Sequence, residues 1–173
     1  MPYTLPSSSL TSTSIDLTGL TFYDISGISS SAKRITLTYK NVTGQAGGDA
    51  TKSQMLRLGT SGGIETTGYV GWQTAQFISQ VAAGAGWLVN VYSGVGTTLV
   101  AANTGIIIIQ PFDAANNIWL FNATHAPVTG NSVTCQGSGS KQLADTLTTV
   151  RLTWENTPTN VYGGGTLNYL IET

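Results

Sequence analysis

At 173 residues, with seven basic and eight acidic side chains, the chain has a net charge of −1 and only 9% charged residues, against about 25% in ordinary soluble domains. So flat a balance leaves no electrostatic footprint for nucleic acid or an anionic membrane, and the single cysteine, Cys135, excludes an internal disulfide framework and a multi-cysteine metal site. Ser and Thr make up roughly a quarter of the residues, a mix that favours strands and polar turns over helices.

The first residues, Met1-Pro2-Tyr3-Thr4-Leu5-Pro6, lack the basic start and apolar run of a signal peptide. Residues 1–13 are expected to be a Ser/Thr-rich arm that orders against a partner surface, ahead of one sandwich domain over 14–173; assembly is expected in the cytoplasm. Strand signals follow in order at Ser12–Leu17, at Arg34–Lys40 (where Ile35, Leu37 and Tyr39 alternate with polar residues), at Gln54–Leu58 and at Gly68–Trp72. Thr74–Ala83 is the one candidate helix: Phe77, Ile78, Val81 and Ala82 fit a helical face and Gly84 could cap it, although the flanks are poor helix formers. Further strands are expected at Trp87–Tyr92, Gly105–Gln110, Ile118–Ala123, Val133–Ser138, around Val150, Leu152 and Trp154, and at Leu167–Glu172. The longest apolar run, Ile106–Ile109, is far too short to span a bilayer. Turn signals at Gly44–Asp49, Gly59–Gly63, Ala102–Gly105, Thr129–Asn131 and Val161–Gly165 separate the strands. About ten short strands at this spacing describe an all-β, single-domain antiparallel sandwich, jelly-roll-like, and not a βαβ fold.

The sharpest catalytic lookalike is Gly59-Thr60-Ser61-Gly62-Gly63, which fits G-x-S-x-G, with Asp113 and His125 following in the order of an α/β-hydrolase triad. That mechanism needs the serine on a strand-to-helix turn whose backbone N–H groups hold the oxyanion. The β-branched, glycine-punctuated stretch Ile64–Tyr69 offers no helix, so a turn between strands is the expected role and no catalytic residue is assigned. A lone histidine cannot build a His/Cys zinc site, the acidic residues are dispersed, and no glycine stretch has phosphate-loop or dinucleotide context. No cofactor and no metal is therefore expected. Asn41-Val42-Thr43 and Asn122-Ala123-Thr124 fit the glycosylation triplet, read as coincidence without a secretory signal. Aromatic side chains are the remaining carriers of a binding role. Trp119 and Trp154 sit in core-facing strand patterns, whereas Tyr69, Trp72, Trp87 and Tyr92 flank glycine-rich segments and form the candidate exposed aromatic patch.

The stretch Leu58-Gly59-Thr60-Ser61-Gly62-Gly63-Ile64-Glu65-Thr66-Thr67-Gly68-Tyr69 resembles a segment that recurs in tail-fibre-like proteins of bacteriophages and prophages. Ser14–Gly19 and Ala32–Leu37 look like that family's opening strands, and Leu143–Leu152 and Gly165–Glu172 look like its closing pair. The segment Gln73–Val95 departs from the pattern. The resemblance implies a β-rich, trimeric module at the host-facing end of a fibre, with no catalytic residue to carry over. Fibres usually have a long shaft ahead of such a module, and here the module begins almost at once, so attachment through another tail protein or direct seating on a capsid is expected. The expected function is that of a non-enzymatic virion structural protein of the tail-fibre class. Its expected partners are its own copies, other phage tail or capsid proteins and, through shallow aromatic contacts, a host cell-surface glycan, with no nucleic acid and no membrane insertion. A capsid decoration protein is the alternative of the same class; deletion of residues 1–13 separates the two, since it should abolish shell binding and spare glycan binding. A serine esterase or glycan depolymerase is the alternative of another class.

Overall fold

The computed structural model describes residues 8–10, 14–45, 53–75, 78–81, 84–90, 102–127, 135–155 and 160–173. Among them fourteen strands run in chain order: β1 Ser8–Leu10, β2 Ile15–Asp16, β3 Phe22–Ser26, β4 Arg34–Gly44, β5 Gln54–Thr60, β6 Gly63–Ile64, β7 Tyr69–Ala75, β8 Ile78–Val81, β9 Trp87–Asn90, β10 Asn103–Asp113, β11 Ile118–Pro127, β12 Cys135–Gln142, β13 Thr149–Trp154 and β14 Tyr162–Glu172. They form two antiparallel sheets packed face to face as a sandwich. The larger has nine strands in the order β1-β14-β4-β10-β11-β12-β7-β8, with β2 also on β14. The smaller has five in the order β3-β13-β5-β6, with β9 also on β5. The chain passes back and forth between the sheets, so neighbours in space are often distant in sequence.

Period-two alternation sets which side chains enter the core. On β4, Ile35, Leu37 and Tyr39 are buried while Arg34, Thr38 and Lys40 are exposed, and on β10 Ile107 and Ile109 are buried. The smaller sheet answers with Leu56, Leu58, Val150 and Leu152, all essentially solvent-free. Trp154 and Trp119 are core residues, as their strand patterns indicate. Tyr162 joins them, 5.3 Å from the Trp154 ring, with its hydroxyl accepting a bond from Gln54 Nε2.

The candidate helix at Thr74–Ala83 is not formed. Strand β7 runs on to Ala75 and β8 returns antiparallel to it, pairing Trp72 with Val81, Gln73 with Gln80 and Ala75 with Ile78. The helical spacing of Phe77, Ile78 and Val81 loses because Tyr69, Gly71 and Gln73 continue a period-two inner face and their backbone groups are already laddered to β12. Residues 76, 77, 82 and 83 lie outside the described residues.

The first strand is part of the fold: Ser8, Ser9 and Leu10 pair with Glu172, Ile171 and Leu170, so this stretch of the arm closes the edge of the same chain's larger sheet. The other arm residues, 1–7 and 11–13, lie outside the described residues, as do residues 46–49 and 129–131 of the expected turns and Val133 and Thr134 of the expected strand. On the outside of the smaller sheet Asp24, Arg151 and Arg57 share one cross-strand row. Arg151 forks onto both Asp24 oxygens at 2.7 Å and stacks 3.9 Å above the Phe22 ring, which fixes edge strand β3.

Candidate functional site

The twelve-residue motif 58–69 forms a hairpin and a return. Strand β5 ends at Thr60, Ser61 and Gly62 make the turn, and β6 pairs back through Thr60 with Gly63 and Gly59 with Ile64. The chain then leads to Tyr69, whose hydroxyl sits inside the sandwich, accepting from the Leu58 amide at 2.7 Å and donating to the Glu65 carbonyl at 3.0 Å. Burial pushes the Tyr69 phenol up to about 12, against the opposing effect of its bond from Leu58, so it remains a donor at any physiological pH. The Glu65 carboxylate takes the Ala144 amide on one oxygen at 2.9 Å and the Lys141 ammonium on the other at 2.5 Å. Lys141 is itself buried, donating also to the Gln142 carbonyl and lying 5.5 Å from the Tyr69 ring centre. These contacts join β5, β6, β7, β12 and the segment after β12 in one polar clasp at the end of the sandwich.

The catalytic lookalike comes apart in this geometry. Ser61 donates to Asp145 Oδ2 at 3.2 Å, and it stands in a strand-to-strand turn with no helix to hold an oxyanion. Asp113 is spent on the turn after β10, where its carboxylate accepts from Asn116 Nδ2 at 2.8 Å and from the amides of Ala115 and Asn116. Those bonds, the Asn116 side chain first, hold it below the usual carboxylate range. His125 is only 2% exposed, in the row that joins Gly105 and Cys135 on the inner face of the larger sheet. A fluorophosphonate probe is accordingly expected to leave Ser61 unlabelled; stoichiometric labelling read by peptide mass spectrometry would contradict this.

Nδ1 of His125 is buried with no hydrogen-bond partner among the described residues, and burial alone lowers its pKa from 6.5 to about 4. The unfolded chain therefore binds a proton that the folded chain refuses between pH 6.5 and about 4. The stability associated with neutral His125 is complete above the unfolded value and is lost as pH falls through that window, by up to about 3 kcal/mol. Urea unfolding of His125→Leu at successive pH values is expected to show this part of the slope removed.

The four candidate aromatic residues separate. Tyr69 is 4% and Trp87 1% exposed, which corrects their assignment to a surface patch. The glycines that suggested exposure serve instead to admit the Trp87 ring. A Cβ on Gly139 would lie 2.8 Å from Trp87 Nε1 and one on Gly71 3.4 Å from Trp87 Cδ1, so bare backbone on β12 and β7 makes the seat. The indole stacks on Phe121 at 5.0 Å, meets the Tyr69 ring edge-on at 5.3 Å and donates to the carbonyls of Val70 and Ser140. Trp72 is 50% exposed, on the outer face of β7. Tyr92 lies outside the described residues.

Sequence reasoning missed the surface that Trp72 belongs to. Across the larger sheet, one cross-strand row reads Trp72, Ser138, Asn122, Ile108, Thr36 and Leu170. The two rows flanking it on the same outer face, from Gln136 to Asn168 and from Val70 to Gln110, are also free of charge. Among the described residues, charge appears at the margins of this face, as the Arg34–Glu172 pair, as Lys40 with Asp16 in its row, and as Asp113 opposite Ile118. The available signal was the run Ile106–Ile109, which is apolar on both faces of a strand.

Among the described residues no group of three or more His, Cys, Asp or Glu side chains could hold a metal ion, and no helix is long and apolar enough to cross a membrane. Fold and site together define an antiparallel β-sandwich in which Ser61 and Asp113 are engaged in structural bonds and His125 is buried. A scan against protein-family models and a search of the curated proteins found no match to this chain.

Proposed function

We propose that this chain is a non-catalytic structural module of a bacteriophage virion, of the tail-fibre class, assembled in the host cytoplasm and working as a homotrimer. The observation that carries the reading is the polar clasp. Leu58, Glu65 and Tyr69 of the twelve residues that resemble tail-fibre-like proteins help to tie the two sheets together, so the resemblance falls on residues with a structural role in this fold. Ser61, Glu65, Tyr69 and Lys141 are each consumed by a bond within the chain, which supports scaffolding over turnover. Antiparallel pairing between residues far apart in sequence suits a part that must keep its shape outside a cell, and burial between subunits adds to that stability.

The test is the composition of the particle. Peptides of this chain are expected at a fixed copy number, a multiple of three, in gradient-purified virions of the phage that encodes it. Their absence from particles whose lysate contains the protein would overturn the proposal.

A further inference from the structure

We infer that the outer face of the nine-stranded sheet, whose central rows are uncharged, is the surface through which copies of this chain associate, its occupant being the same face of a sister subunit. The inference rests on the homotrimer reading above and assigns its interface. Three exposed large apolar residues stand on this face among the described residues: Val70 (68%), Trp72 (50%) and Ile106 (39%). The chain does not avoid surface charge in general, because it places Asp24, Arg57 and Arg151 on the outside of the smaller sheet. On the larger one it keeps charge out of three adjacent central rows, and rows without charge meet their own copy without like-charge repulsion.

Strand β10 gives the second argument. Ile107 and Ile109 fill the core while Ile106 and Ile108 point the other way, and a continuous apolar run is the pattern of a strand covered on both faces. Among the described residues no strand or sheet packs over the outer side, and Ile106 is 39% exposed there.

Area gives the third. Six strands, from β14 to β7, at about 4.8 Å spacing and about six residues of 3.4 Å rise span roughly 29 by 20 Å. With side chains standing on it, such a face approaches the roughly 800 Å² that each partner contributes to a stable interface. Val70 and Trp72 on β7 and Ile106 and Ile108 on β10 make two apolar patches separated by the amides and hydroxyls of β11 and β12, including Asn122 and Ser138. Two unlike patches on one face suit a heterologous contact that closes into a ring around a threefold axis, each subunit offering one patch to each neighbour.

The experiment compares native masses, by size exclusion with light scattering, of the full chain and of Trp72→Glu, Ile106→Glu and a control on the opposite sheet, Ser26→Glu. The parent and Ser26→Glu are expected to be trimers, and each face variant to fall to one third of that mass with unchanged far-ultraviolet circular dichroism. Acrylamide quenching of the unaltered protein, with Trp72→Phe used to isolate the Trp72 emission, guards against a variant that fails to fold. Trp72 is expected to be shielded in the assembled parent, and free quenching there would overturn the inference. A monomeric parent would overturn both the interface and the homotrimer reading. A trimeric parent whose face variants stay trimeric would overturn the interface alone, as would face variants that stay trimeric yet lose adsorption to a host glycan surface.

Discussion

Trp87→Ala is expected to be the most damaging single substitution in the chain, costing about 4 kcal/mol in urea unfolding. The indole bridges the two sheets. It enters from β9, paired to the smaller sheet, and lies on β12 and β7 of the larger one, stacked on Phe121 and edge-on to Tyr69. Removing it leaves a cavity bounded on one side by the backbone of Gly71 and Gly139, which cannot move in as a side chain can, and by the Phe121 and Tyr69 rings, and it removes the indole N–H from the Val70 and Ser140 carbonyls. The converse change, Gly139→Ala, places a Cβ 2.4 Å from the Val70 carbonyl oxygen and 2.8 Å from Trp87 Nε1. The first of those atoms is backbone and cannot swing aside, so overpacking is expected to cost about 2 kcal/mol. A loss below about 1 kcal/mol for Trp87→Ala would mean that the two sheets are held by something other than this seat.

The second large effect lies in the clasp. Lys141→Met leaves the Glu65 carboxylate largely buried without its cation, and Glu65→Gln leaves the buried Lys141 ammonium without its anion. Each single change is expected to cost about 3 kcal/mol, because an uncompensated charge in the interior is far more expensive than the pair is stabilising. The double variant is expected to return to within about 1 kcal/mol of the parent, since it removes both desolvation costs together. A double-mutant cycle in denaturant measures this. Additive losses would show that the two groups do not act as a pair and that the clasp rests on the Tyr69 and Ala144 bonds instead.

Where a strand has one wet face, its side-chain alternation made it legible in the sequence: β4, β13 and β14 follow Ile35/Leu37/Tyr39, Val150/Leu152/Trp154 and Leu167/Tyr169/Ile171. The expected helix at Thr74–Ala83 failed because the four apolar residues Phe77, Ile78, Val81 and Ala82 are too few to separate the two periods, and pairing of β7 to β12, a strand more than sixty residues away, decided between them. Strand β3 went unread although Tyr23 and Ile25 alternate with Asp24 and Ser26, because five residues among serines and glycines give little pattern to count. Turn reasoning placed Ser61 correctly in a strand-to-strand turn. The aromatic patch was misread at Tyr69 and Trp87 for a physical reason: glycines beside an aromatic residue mark either an exposed loop or a bare backbone against which a ring packs. Only the opposing strand, here β12 with Gly139, distinguishes the two. The Lys141–Glu65 pair joins residues seventy-six positions apart, and no local signal announces it.

The measurement that bears most directly on the central claim is the native mass of the purified chain by size exclusion with light scattering. The expected result is a single species of three times 18.1 kDa that persists on dilution to micromolar concentration. A monodisperse species of one times that mass would contradict the account.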